Sequence, residues 1–443
     1  MSRPTIVYDV VRLLLAARLP TPRGIDRIDY GMASRLFETW PGECVALMPT
    51  PWGLRLFERE RVLRARSFFE SRWPGETDGA PASTGPAGPE RDGHVPARFG
   101  LQTWSAIPKL LRRTGLATGR PLRSLPAGSV LINAGHDSLS QGWMVSWLRQ
   151  HSQVALLAMV HDLVPVLHPS LVSMALQRAS GRLLAHVATY AEAALAPSRA
   201  VAGELSAAMA ARGRPQLPIY ARGLPIQDAF LGRPSRSGRP RSAFVVCGTL
   251  EPRKNVDILL DAWAILAERH GPSCPPLIVA GAVGWRGEAS LARIAAAGRA
   301  VTWVPTPPTL LLRDLVGEAK ALLMPSRAEG FGLPVAEALA LGTPVIASDI
   351  PAHREAGGGA PLYVCATDPL AWVAAVEQLA WSGDALQAAL DRTRAWRPVT
   401  WRDFMNDLGE IVDQVSFGPR QASRASRENR DRAGGKKGSL ASL

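Results

Sequence analysis

The sequence predicts an α/β protein of two Rossmann-like, doubly wound parallel sheets facing each other across a cleft. Three observations carry that expectation. Short apolar runs of strand length alternate with stretches of helical periodicity from Thr5 to Val415. The 443 residues suffice for two hydrophobic cores. A glycine-rich stretch, Pro325 to Gly342 (PSRAEGFGLPVAEALALG), lies between the apolar runs Ala321–Met324 and Pro344–Ala347, giving strand, loop, helix, strand. Loops at the carboxyl ends of parallel strands are where open α/β sheets bind ligands.

Composition narrows the class. Apolar residues make up 47% and charged residues 20%, as in a globular protein. The four cysteines (Cys44, Cys247, Cys274, Cys365) have no metal or redox spacing and are expected to be buried thiols of a reducing compartment. No apolar run approaches the roughly 20 residues needed to span a bilayer. Asp9 and Arg12 interrupt the first apolar segment, which is therefore no signal peptide. The expected location is the cytoplasm or the inner face of its membrane. Net charge is +13, and the stretch 417–443 holds seven Lys/Arg against two acids with almost no apolar content. That tail is expected to be disordered, with contact to anionic lipid as its functional reading. No finger, basic zipper or aromatic-laced basic patch supports nucleic-acid binding.

In chain order, Thr5–Val10 reads as a strand and Asp26–Thr39 as a helix. This places Arg23, Gly24 and Arg27 at the first crossover. Trp73 to about Arg98 reads as a flexible Pro/Gly/Ala/Ser insertion, and Arg112–Pro126 as a basic loop. Ser129–Asn133 is a buried strand with Gly135, His136 and Asp137 at its end. Gln153–Val160 is the next strand and His161 closes it, at a position where active-site groups collect. A helix over Leu171–Tyr190, the run Ala194–Pro197 and Ser198 follow. The first domain covers residues 1–230. Gly232–Ser242 is a polar linker opening the second domain, 231–398.

Ala243–Cys247 and then Gly248 lead to Arg253 and Lys254, followed by a helix over Val256–His270. Two cations between a strand end and a helix start suit a diphosphate. Leu277–Ala280 and Val301–Val304 are strands, Leu310–Lys320 a helix, and Pro305–Pro308 a proline-rich turn. In the central stretch Gly330 and Gly332 permit close approach to a ligand. Pro334 suits the first helical position and Gly342 caps the end. Glu329 precedes the helix, and Glu337, eight residues on, is expected in its first turn, suited to the macrodipole. Pro369–Trp381 is a helix, and Trp401–Val415 an amphipathic one with Phe404, Leu408, Ile411 and Val415 aligned.

The string from Glu329 to Glu337, continued through Gly342-Thr343-Pro344-Val345, resembles the E-x7-E signature of the group 1 (GT4) retaining glycosyltransferases, which have the GT-B fold. The string Gly248-Thr249-Leu250-Glu251-Pro252-Arg253-Lys254-Asn255 resembles the same family at the right separation. The likeness is strong from Phe244 to Gly358 and weaker before. It implies that Glu329 touches the donor sugar and Glu337 the ribose, while Arg253 and Lys254 hold the diphosphate. Gly248, Gly330, Phe331, Gly332 and Leu333 would line the nucleotide site. It implies that His161 touches the sugar from the first domain, with Gly24, Arg27, His136 and Asp137 on the acceptor side. Val304 and the turn after it correspond to the base-binding segment, whose VPTPP departs from the commoner glycine-containing form. Residues 399–416 would be the GT-B helix crossing back to the first domain. His353, Arg354 and Glu355 resemble a family turn and read as structural.

The implied reaction is retaining transfer of a hexose from a nucleoside diphosphate sugar. With no D-x-D pair in the sequence, it would be independent of metal and need no cofactor. HDLVPVLHP and GIDRIDYG resemble bacterial mannosyltransferases of exopolysaccharide and O-antigen assembly. They point to GDP-mannose as donor and a lipid-linked oligosaccharide as acceptor. UDP-glucose, UDP-GlcNAc or a rhamnose donor are alternatives, as is a non-catalytic sugar-nucleotide binder. A non-hydrolysing epimerase shares the fold but not the motif.

Overall fold

A computed structural model of the chain describes residues 3–19, 21–50, 53–73, 119–121, 125–231 and 241–416. Its first sheet contains β1 (Ile6–Asp9), β2 (Cys44–Thr50), β3 (Gly53–Glu58), β4 (Arg120–Pro121), β5 (Val130–Asn133), β6 (Ala155–Met159), β7 (Ala191–Ala196) and β8 (Ile219–Ala221). The second contains β9 (Phe244–Cys247), β10 (Leu277–Ala280), β11 (Val301–Val304), β12 (Ala321–Met324), β13 (Val345–Ser348) and β14 (Leu362–Val364). Strand orders are β4-β3-β2-β1-β5-β6-β7-β8 and β11-β10-β9-β12-β13-β14.

Both orders reverse once, between β1 and β5 and between β9 and β12. At those points successive connections go to opposite sides and leave a crevice at the carboxyl ends. The second sheet is parallel throughout. The first departs from the expected all-parallel sheet: β3 runs antiparallel to β2 and to β4. Only two residues separate β2 from β3, whereas a parallel crossover needs about a dozen.

Inner strands such as β1, β5, β6 and β12 are buried along their whole length, as strands covered on both faces must be. One apolar core runs from Ile6, Phe37 and Ile132 through Ile226 and Phe230 to Phe331, Val335 and Leu339, so the two sheets share a continuous interior. Trp73, expected at the start of a flexible insertion, belongs to that core. It packs edge-on against Tyr30, and its Nε1 donates to the Leu19 carbonyl at 3.1 Å. The rest of that insertion, the linker residues 232–240 and the tail 417–443 lie outside the described residues. Cys44 and Cys247 are buried as expected, but Cys365 is exposed and Cys274 partly so.

The helix Trp401–Ser416 buries Trp401, Phe404, Leu408, Ile411, Val412 and Val415 and packs on β5, β6 and the helix Gly24–Thr39. A Cβ at Gly31 would fall 2.3 Å from Trp401 Cζ2, so glycine lets this helix dock. Arg35 stacks over the same indole at 4.3 Å. The helix Gly383–Ala395, which precedes it, was not anticipated from sequence.

Candidate active site

β12 ends at Met324, and the loop after it turns the Glu329 carboxylate toward the short 3-10 turn Pro252–Lys254 that follows β9. Glu329 accepts from Lys254 Nζ at 2.5 Å, Arg253 Nη1 at 2.8 Å and Ser326 Oγ at 2.7 Å. Arg253 Nε also pairs with Glu251 at 2.7 Å. Backbone contacts lock the two loops together. Arg327 N donates to the Arg253 carbonyl at 2.8 Å, and Asn255 Nδ2 donates to Pro325 O at 3.0 Å. Burial opposes ionisation of Glu329, but the ammonium of Lys254 and the guanidinium of Arg253 outweigh it. They hold its pKa well below the usual carboxylate range. Gly248 (φ 140°) makes room for the Lys254 stem: a Cβ there would sit 3.3 Å from Lys254 Cε.

The helix Leu333–Ala340 starts after Gly332, whose φ of 95° suits glycine. Pro334 is its second residue and Gly342 (φ 74°) follows its end. Glu337 therefore lies in the second turn, not the first, because the helix begins at Leu333. Its charge meets a different partner from the macrodipole. Arg27 Nη2 of the first domain pairs with Glu337 Oε1 at 2.7 Å, with side chains only 8% and 4% exposed. Burial pushes the Glu337 carboxyl up and Arg27 opposes the rise. Arg27 also lies over the Phe230 ring at 5.1 Å. Gly24 approaches Leu333 beside this pair, where a Cβ would be 3.2 Å from Leu333 Cδ1. The expected acceptor-side and nucleotide-side residues thus meet directly.

From the first domain, His161 follows β6 and is buried. Its Nε2 donates to the Ala134 carbonyl at 2.7 Å, leaving Nδ1 without the proton. Its N–H donates to His136 Nε2 at 3.1 Å, and the rings lie 4.7 Å apart. Burial lowers the His161 pKa to about 4, and both rings are neutral at pH 7. The His161 carbonyl faces Gly330 so closely that a Cβ there would lie 1.9 Å from it. His161 and the loop after β12 meet through backbone.

Asp137 pairs with Arg12 at 3.0 Å, and Arg12 bridges to Asp26 at 2.7 Å. Asp26 in turn accepts from Arg23 N at 2.9 Å and closes the first turn of the helix Gly24–Thr39. Asp137 is thus part of a charged strut beneath the crossover loop. Phe331 is buried in the shared core. Val304 ends the edge strand β11, and its carbonyl accepts from Gly281 N at 3.0 Å.

Sequence reasoning gave Arg12 and Ser326 no place in the site and read His353 as structural. His353 is fully buried, donates Nδ1–H to Ser348 O at 3.0 Å and backs Gly332, where a Cβ would meet its ring at 2.9 Å. Arg12 carries no local signal because its partners Asp26 and Asp137 come from other elements, and Ser326 none because a serine in a loop is commonplace. Among the described residues no group of His, Cys, Asp and Glu could hold a metal ion.

Residues 241–381 match the family model described as glycosyl transferases group 1. The O-antigen chain mannosyltransferase B of Escherichia coli is 35% identical over 124 residues, covering 27% of this chain and 32% of that one. The D-inositol 3-phosphate glycosyltransferase of Jonesia denitrificans is 33% identical over 185 residues, covering 39% and 42%. The matches span less than half the length of these curated relatives. Among solved structures, Anabaena HepE in complex with UDP and glucose superposes with a TM-score of 0.56 at 14% identity, covering 97% of this chain and 100% of that one. That likeness extends over both sheets and shows the fold. With two doubly wound sheets meeting at their switch points, the chain has the GT-B fold, and residues 241–381 of its second sheet region match the group 1 glycosyltransferases.

Proposed function

We propose that the chain is a retaining, metal-independent glycosyltransferase that moves a hexose from a nucleoside diphosphate sugar to an acceptor hydroxyl. The observation that carries this reading is the cluster of Arg253, Lys254 and Glu329 at the β9/β12 switch point. As the anomeric C–O bond to the diphosphate breaks, negative charge grows on the departing oxygen. Arg253 and Lys254 are the groups that stabilise it there. The new C–O bond forms to the acceptor oxygen on the same face, and the acceptor's proton passes to the departing phosphate. Glu329 holds both cations in place and orients the sugar, and Glu337 binds the ribose. His161 and the Gly330–Leu333 backbone line the sugar and phosphate sites.

GDP-mannose is the proposed donor, on the resemblance of HDLVPVLHP and GIDRIDYG and on the mannosyltransferase name at 35% identity. The D-inositol 3-phosphate glycosyltransferase match supports a second reading in which the acceptor is not a lipid-linked oligosaccharide, and UDP-glucose, UDP-GlcNAc or a rhamnose donor are the alternatives to GDP-mannose. The proposed acceptor is a lipid-linked oligosaccharide at the inner membrane face. Val166, Leu167, Met174 and Leu176 are exposed on the segment that packs against Ala328, next to Glu329, and the net charge of +13 favours an anionic surface. No helix among the described residues is long and apolar enough to cross a membrane.

A thermal-shift panel of GDP, UDP, ADP and TDP, with and without EDTA, tests the reading on wild type and Lys254→Ala. A ligand binding only the native state raises its midpoint. A rise with GDP alone, insensitive to EDTA and lost in the variant, is the expected result. A rise with UDP instead replaces the donor and keeps the mechanism. No rise with any nucleotide in a cooperatively melting protein overturns the enzyme reading.

A further inference from the structure

The helix Arg199–Ala210 of the first domain begins at the domain boundary, and most of its free N–H groups are satisfied from outside the helix. The first N–H groups of a helix have no partner within it. Here Val201 N donates to Ser198 Oγ at 3.1 Å, a local cap. Arg199 N and Ala200 N instead donate to Glu355 at 2.7 and 2.8 Å, one to each carboxylate oxygen. Glu355 belongs to the helix Pro351–Gly357 of the second domain.

The Ser198 hydroxyl, having accepted from Val201, sends its own proton across the same boundary to the Gly330 carbonyl at 2.8 Å, in a buried bond. Gly330 adjoins Glu329 and lies against the His161 carbonyl. One helix end therefore grips two elements of the second domain, one of which carries the sugar-side carboxylate.

Sequence around the helix start makes this grip more than an incidental cap. The first turn contains no acidic residue and places the Arg199 cation at the positive end of the helix. Cations there are unfavourable. The carboxylate that corrects this comes from the other domain, with Arg199 Nε 3.6 Å from Glu355. Separating the domains would return the two N–H groups to water and remove the Ser198 hydroxyl from the Gly330 carbonyl. Closing them gains charge-assisted hydrogen bonds at the same moment.

We propose that Glu355 and Ser198 are positioning residues forming an interdomain clasp. Engagement of the helix end fixes the Gly330 loop, and with it Glu329, against His161. The inference rests on the donor site proposed above, but the clasp itself is a statement about two loops. It is tested on the full chain with Glu355→Ala, Glu355→Gln and Ser198→Ala.

Amide hydrogen exchange is followed in two peptides, 198–202 and 325–332, and GDP affinity is measured by titration. A merely structural cap moves the first peptide alone. The clasp predicts that Glu355→Ala also deprotects 325–332 and weakens GDP by about tenfold, equivalent to roughly 1.4 kcal/mol. Glu355→Gln, which keeps the shape and one acceptor oxygen, should lie between the two. Loss of protection confined to 198–202, with GDP affinity unchanged, overturns the proposal. If GDP binds no form of the protein, the donor reading fails, and exchange at 325–332 still decides the clasp. If Glu355→Ala does not fold, Glu355→Gln and Ser198→Ala carry the same comparison.

Discussion

Replacing Arg27 by methionine would leave Glu337 as a carboxylate buried at the domain boundary with its 2.7 Å partner removed. With side chains 8% and 4% exposed, water does not screen the pair, and the cost follows the buried regime. Removing one member of such a pair costs about 3–5 kcal/mol, against about 0–1 kcal/mol for a surface pair. Methionine keeps much of the packing over Phe230 but loses the cation–π contact. Burial already pushes the Glu337 carboxyl up while Arg27 pulls it down, so the variant raises it further. Protonation then limits the penalty as pH falls. The assay is urea unfolding at pH 8 and pH 5.5, with a second series in which Glu337→Gln is added. The expected result is a loss of about 3–5 kcal/mol at pH 8, a smaller one at pH 5.5, and recovery of most of it in the double variant. A loss below about 1 kcal/mol at pH 8, or two single changes that simply add, would refute the reasoning.

Gly330→Ala should loosen the domain boundary, costing about 1–3 kcal/mol, because its Cβ would meet the His161 carbonyl at 1.9 Å and backbone cannot swing aside. Gly203→Ala, where a Cβ meets nothing, is the control and should leave the thermal midpoint unchanged or raised. His161 titrates near 4 when folded, against 6.5 as its ordinary value. The folded state therefore binds that proton more weakly. The contribution is complete above about pH 6.5 and is lost as pH falls toward 4, amounting to about 3 kcal/mol. His161→Phe should flatten the unfolding free energy across that window, and an unchanged slope counts against the assignment. Asp29 has the opposite sign: burial raises its pKa from 3.8 to about 8, so its stability is present below 3.8 and fades as pH rises through 8. Asp29→Asn should raise the thermal midpoint at pH 9 relative to wild type, and no change there would refute the shift.

Much of the second domain was legible because its order is local. β10, β11 and β12 fall on the apolar runs that announced them, and the helices Val256–His270 and Pro369–Trp381 have the expected limits. Arg253, Lys254 and Glu329 were each singled out, and the structure brings them into one cluster. Pairing across the fold was not legible. Arg27 and Glu337 belong to separate motifs, and nothing in either string says that they meet. Glu355 looks like a turn residue because its partners are backbone N–H groups, which leave no mark on sequence. The antiparallel β3 was missed because Gly53–Glu58 is amphipathic and lies at the sheet's periphery. Trp73 was read with the Pro/Gly-rich residues after it, although its indole belongs to the helix before it.

The helix Trp401–Ser416, which covers β5 and β6, carries a consequence for biosynthesis. Roughly 170 residues separate it from Leu231, the last described residue before the second domain. At about 5–20 residues per second a ribosome needs on the order of 10–30 s to make that intervening stretch. During that interval the first sheet is already synthesised, but the apolar surface that Phe404, Leu408 and Ile411 will cover is open. The domain begun first is thus finished last. A nascent chain stalled between Leu231 and Trp401 would expose a sticky sheet face to its neighbours on the polysome.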